Sequence, residues 1–279
     1  MSVYFPIPPD ISFNYENPNS IKSSITLGGF CNNCLEKNFS KLKKEIIHYS
    51  IYKLKGKTWI KVKDININYG NFFEINRREL GLSSDEFFVV VSSESNENAT
   101  RTEILPKPSS LRVDDAPIGE RASYNFDLDQ KISSYQGDYP FQMSAIKKGS
   151  LFTIYSTKIA NEKFIKNLLF LINLNRDASL KKEHVISIID PYSKKQIIEF
   201  SAFNNSFNFT NLSDIFLREK IKLKKEFFIT CNTCVFIPVF INVNLNPMGK
   251  SINVEHSHPP KQFFWHGFHR EATKSLKSK

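Results

Sequence analysis

The stretch Ile241-Asn-Val-Asn-Leu-Asn246 alternates an apolar and a polar residue at every step. Successive side chains of an extended strand point to opposite faces, so this pattern predicts a strand with one buried and one solvated face. Ile65-Asn-Ile-Asn-Tyr69 repeats it near the other end of the chain. One-sided burial is the habit of antiparallel sheets, whereas strands of parallel sheets read as continuous apolar runs.

Working outward, further strands are expected at Ile11–Tyr15, Ser24–Leu27, Phe72–Ile75, Phe87–Ser92, Leu151–Ser156, Leu168–Leu174, His184–Ile189, Gln196–Phe200, Phe207–Phe209 and Phe227–Cys231. Helical spacing is scarce. Leu35, Phe39, Leu42 and Ile46 recur at four, three and four residues, and Asn211–Ile221 suits a second short helix. The Phe72–Ser92 region resembles Ser206–Cys231, with Glu86-Phe-Phe and Glu226-Phe-Phe at matching places. The expected fold is therefore mainly β: two tandem antiparallel β-sandwich domains with a few short helices. Their bounds are residues 1–95 for the first sandwich, 96–149 for a long ordered inter-repeat segment, and 150–279 for the second sandwich with a His-rich C-terminal strand and a basic tail.

Composition narrows the function. The 279 residues include 38 Lys and Arg against 28 Asp and Glu, a formal charge of +10, with 25 Phe but only 10 Gly. Glycine stands at about half its usual share, which leaves little material for phosphate-cradling loops. No Gly-x-Gly-x-x-Gly is present, and Gly56-Lys57-Thr58 lacks the upstream glycine of a P-loop because Ile51 occupies its position. Nucleophile-elbow, zinc-protease and calcium-loop patterns are absent too. The lysines are spread along the chain rather than gathered among aromatic residues, so nucleic acid is not an expected partner. Met1–Asp10 carries no basic stretch followed by an apolar one, and Cys234–Ile241 is the longest apolar run, far below the ~18–20 residues of a membrane span. The expectation is a cytoplasmic protein without a membrane span.

Three groups of residues are chemical candidates. The inter-repeat segment holds Arg121, Tyr124, Asp138 and Tyr139. Guanidinium forks and phenol rings suit planar carboxylates and sugar faces, which marks these four as ligand-binding candidates for a glycan or another polar, partly anionic ligand. Four of the six histidines fall at His256, His258, His266 and His269. On a strand, His256 and His258 share a face about 6–7 Å apart, a spacing at which two imidazoles hold one divalent metal, Zn or Fe. Two Cys-x-x-Cys pairs, Cys31/Cys34 and Cys231/Cys234, are read as free thiols of a reducing compartment. The first functional expectation is a non-catalytic recognition or assembly protein that binds a glycan between two β domains. The alternative is a hydrolase or isomerase for a carbohydrate-like substrate, built on the histidine cluster and its metal.

Overall fold

The computed structural model describes residues 3–13, 20–28, 46–68, 71–83, 86–93, 99–109, 122–147, 149–155, 164–221 and 226–256. The fold is mainly β, and its strands pair antiparallel, as the alternation predicts. The expected Leu35–Leu42 helix, Cys31 and Cys34 lie outside the described residues. Ile46 opens a strand instead of closing that helix. The chain divides into two compact units: Met1–Asp127 with Ser134–Ala145 and Leu174–Leu180, and Leu128–Ser133 with Ile146–Asn173 and Lys181–Lys279.

The strands up to Pro140 are β1 (Val3–Pro6), β2 (Ile11–Ser12), β3 (Ser20–Gly28), β4 (Ile46–Lys55), β5 (Thr58–Asn68), β6 (Phe72–Asn76), β7 (Phe88–Ser93), β8 (Arg101–Thr102), β9 (Ala122–Leu128), β10 (Lys131–Gly137) and β11 (Tyr139–Pro140). One sheet runs β11-β1-β7-β4-β5-β8; the other runs β10-β9-β3-β2, with β6 also on β3. Gly56-Lys57, read above against the P-loop, is the two-residue turn between β4 and β5. Gly56 takes a φ of +61° there, at the first turn position, where a residue with a side chain is strained. In β7 every residue from Phe88 to Ser92 is buried, so both faces of this central strand are covered.

Several buried aromatic side chains of the first unit also anchor their polar atoms. The Tyr4 hydroxyl donates to the Pro106 carbonyl at 2.9 Å, the Tyr52 hydroxyl to Ala99 at 3.1 Å and the Trp59 Nε1 to Arg176 at 2.8 Å. Each ring thereby buries its area while its one polar group stays paired. Burial first, then the nearby Asp64 carboxylate, pushes the Tyr52 phenol up to about 12.

The second unit holds β12 (Leu151–Tyr155), β13 (Ile165–Asn173), β14 (Glu183–Ile189), β15 (Gln196–Phe203), β16 (Ser206–Asn211), helix α1 (Leu212–Arg218), β17 (Phe227–Cys231), β18 (Ile237–Asn244) and β19 (Ser251–His256). Its two four-stranded sheets run β12-β17-β14-β15 and β16-β13-β18-β19. One core joins them: Leu151, Ile186, Ile188, Ala202, Phe227 and Ile229 from the first sheet meet Leu169, Leu171 and Phe240 from the second. This is a sandwich-like arrangement. The chain passes from one sheet to the other through Asn204-Asn205, with Asn205 at φ +50° and its N–H on the Asn173 carbonyl at 3.0 Å. Buried Asn208 secures the corner by donating to the carbonyls of Leu171 and Phe203. Helix α1 falls within the predicted Asn211–Ile221. Asn211 caps it by accepting from the Asp214 N–H at 3.2 Å and donating to the Asp214 carboxylate at 2.7 Å. Among the described residues no helix is long and apolar enough to cross a membrane.

Candidate functional site

The described residues between 99 and 147 carry more regular structure than their sequence suggests, and this decides where the expected ligand residues stand. Ala122, Tyr124, Phe126 and Leu128 alternate with polar residues along β9, and all four are buried. Tyr124 is 3% exposed and its ring stacks on Tyr135 of β10 at 4.9 Å. Burial, then Tyr135, then Asp138 raise its phenol well above the ordinary value. Gly137 is required beside this stack, because a Cβ there would lie 2.6 Å from the Tyr135 ring and 3.1 Å from the Tyr124 ring. Tyr139 is 1% exposed and faces Tyr4 across β11 and β1. Both tyrosine rings thus belong to the packed interior of the first unit. Asp138 is half-buried between β10 and β11, and Arg121 lies outside the described residues.

His256 is the last residue of β19, half-buried, opposite Val239. His258, His266 and His269 lie outside the described residues. Among the described residues no three His, Cys, Asp or Glu side chains gather to hold a metal ion. Cys231 ends β17, and the chain turns before Cys234, so the two thiols need not point to opposite faces as they would on a continuous strand.

The structure assembles a different constellation within the first unit, two residues beyond Tyr139. After β11 the chain turns at Phe141 into a single 3-10 turn, Met143–Ala145. The Ser144 N–H and hydroxyl both donate to the Phe141 carbonyl, at 3.1 and 2.6 Å, which fixes the residue that carries the ring. Arg176 is held along its backbone: its N–H donates to the Ser144 carbonyl at 2.9 Å, and its own carbonyl accepts from the Leu105 N–H and from Trp59. Its guanidinium carbon consequently sits 5.1 Å from the Phe141 ring centroid. The Lys107 ammonium, next to the Pro106 carbonyl that Tyr4 holds, lies 5.8 Å from the same centroid, and the Tyr4 ring lies 6.2 Å from it.

Two cations therefore share one half-buried aromatic ring. Cation–π attraction is worth about 0.5–1 kcal/mol at exposed sites, which positions the side chains while leaving their donors available. Among the described residues neither Arg176 nor Lys107 forms an ion pair with a carboxylate, although six such pairs occur elsewhere. A guanidinium fork and an ammonium around one ring are each suited to an anionic oxygen group. Sequence spacing gives no sign of this site, because its members come from residues 4, 107, 141 and 176. The signal that was present is Pro140-Phe141, an aromatic residue just past an edge strand.

Compared with known proteins, the chain matches no family model, and no curated protein matches it at a significant level.

Proposed function

We propose that the protein is a non-catalytic recognition module that binds an acidic glycan, one bearing sulfate or uronate groups, at Arg176, Lys107 and Phe141. The observation that supports this reading is the pair of cations on one ring with no carboxylate partner among the described residues. Anionic ligand groups at this ring would supply acceptors for the donors of Arg176 and Lys107. A saccharide fits this better than a nucleobase. Single-strand binders need a free aromatic face on which a base stacks, and the described contacts of Phe141 are with cations and Tyr4. With two charges at the site, affinity should fall only modestly with salt. A glycan array tests it: sulfated or uronate oligosaccharides are retained and their neutral counterparts are not. Retention of neutral sugars alone, or of none, overturns the proposal.

A further inference from the structure

The second unit contains a polar network around its Cys-x-x-Cys turn that glycan recognition does not use. His184 on β14 is flanked on both ring nitrogens. Its Nε2 lies 2.5 Å from the Asn204 Oδ1 and its Nδ1 lies 2.8 Å from the Thr233 hydroxyl. Asn204 donates from Nδ2 to the Cys234 sulfur at 3.6 Å, and Cys231 lies 3.6 Å from the Thr233 oxygen. Phe236 packs edge-on against the imidazole at 6.0 Å.

The hydrogens of this network can be assigned from the Asn204 amide. Its Nδ2 faces a sulfur, so its carbonyl oxygen faces His184, and a carbonyl only accepts. Nε2 therefore carries the hydrogen of the neutral imidazole and Nδ1 is left as acceptor, filled by the Thr233 hydroxyl. The Thr233 oxygen then accepts from the Cys231 S–H. A directed chain results, from Cys231 through Thr233 to His184, with Cys234 at the far end through Asn204. Cys234 donates to the Val235 carbonyl at 3.5 Å. The Asn232 Oδ1 inside the same turn is buried and has no hydrogen-bond partner among the described residues, so the turn keeps one acceptor for a small polar molecule.

We propose that Cys231 and Cys234 are a redox-active dithiol that a small hydroperoxide closes into a disulfide, with Cys231 as the attacking thiol and His184 taking its proton through Thr233. Cys231 is 1% exposed and Cys234 5%. That burial selects an oxidant the size of hydrogen peroxide over a bulky disulfide. In the first step the Cys231 thiolate attacks one peroxide oxygen and the O–O bond breaks. The leaving alkoxide or hydroxide takes the proton held at His184, and Cys231 becomes a sulfenic acid. In the second step the Cys234 sulfur attacks the Cys231 sulfur and the S–O bond breaks. The departing hydroxide leaves as water with the Cys234 proton. Two thiols are oxidised to one disulfide, and one hydroperoxide is reduced to an alcohol or water plus a second water. Burial, then the neighbouring Cys231, pushes the Cys234 thiol up, in keeping with its role as the second thiol to react.

The test uses the full chain with Cys31→Ser and Cys34→Ser, so that one pair remains. Folded protein is treated with stoichiometric hydrogen peroxide, the remaining thiols are alkylated, and intact and peptide masses are read. The expected result is the loss of two hydrogen masses in a Cys231–Cys234 cross-link, reversed by dithiothreitol. Adding Cys234→Ser traps a dimedone adduct on Cys231. His184→Gln slows cross-linking by at least about tenfold, a modest share of what a positioned base contributes, while its near-UV circular dichroism is unchanged. Two thiols that are still alkylated at full mass after peroxide overturn the proposal, and this needs no further variant to fold. A dimedone adduct on Cys234 in the Cys231→Ser protein, with none on Cys231 in Cys234→Ser, overturns the order of attack. An unchanged rate in His184→Gln overturns the relay.

Discussion

Arg77→Met removes the most connected buried cation of the first unit. Arg77 follows β6 and is 4% exposed. Its Nε donates to the Ile7 carbonyl at 3.1 Å and its Nη1 to the carbonyls of Ser83 and Glu86, at 3.0 and 2.9 Å; its Nη2 also reaches Ile7. The guanidinium carbon lies 5.0 Å from the Phe88 ring centroid. Burial pulls its pKa down to about 10, against the opposing charges of Asp10 and Glu86. Methionine keeps an unbranched apolar stem but neither the full reach nor any of the donors, so three carbonyls lose a partner, one of them on fully buried Ile7. An unsatisfied buried acceptor costs about 1–3 kcal/mol, while the guanidinium's own desolvation is relieved, which sets the net loss near 3 kcal/mol. At about 2–4 °C per kcal/mol for a chain of this size, the first unit's melting transition should fall by about 6–12 °C. Urea and thermal unfolding measure it, with Arg77→Lys as the milder companion because an ammonium still reaches one or two of the carbonyls. A loss below about 1 kcal/mol for Arg77→Met would refute the claim that these bonds hold the segment, since that is the range of ordinary surface changes.

Three further outcomes follow from the packing. Gly137→Ala forces a methyl against the Tyr124–Tyr135 stack and should cost about 1–3 kcal/mol, whereas Gly249→Ala, with open space around the new Cβ, should be neutral or stabilising by a few tenths; thermal melts of the two compare them directly. Asn211→Ala uncaps helix α1 and should lower stability by about 1 kcal/mol in urea titration. Tyr52 titrates near 12 in the folded chain and near 10 when unfolded. Between those values the folded state holds the extra proton, so its contribution to stability is complete below pH 10 and lost as pH rises through about 12. Unfolding measured across pH 9–12 should show that fall, and ultraviolet titration should show Tyr4, Tyr52, Tyr124 and Tyr135 ionising late.

Strands with uninterrupted local pattern were legible in the sequence. Ile241–Asn244 and Ile65–Asn68 could be read because apolar residues on one face are buried and asparagines on the other are not, although the expected strand ran two residues past Asn244, and α1 because its cap and apolar spacing agree. The misses have local causes. β1 hides behind Pro6, Pro8 and Pro9, which disfavour a strand reading. β4 was obscured because Ile46 completes a helical spacing whose other members precede it. β9 alternates as cleanly as any strand, but Asp127 and Asp129 suggest a turn. The turn begins only at Asp129, whose φ of +49° and ion pair with Lys250 place it at the hairpin tip. The ring chemistry of Tyr124 and Tyr139 is visible in the sequence, but their burial is a tertiary property. Tyr124 and Tyr139 went into the interior, while Phe141 is half-buried. The cations beside Phe141 arrive from two distant stretches, a juxtaposition that no local pattern encodes.

Arg176 and Lys107 are proposed to bind an anionic ligand group. Calorimetric titration of the wild-type chain and of Arg176→Gln with one sulfated oligosaccharide tests it most directly. Binding is expected for the wild type, with a loss of about 10–100-fold in Arg176→Gln, the worth of a charge-assisted hydrogen bond of about 1.5–3 kcal/mol, and no change in melting temperature beyond about 2 °C. Equal affinity in the two proteins, or equal affinity for the desulfated oligosaccharide, would contradict it.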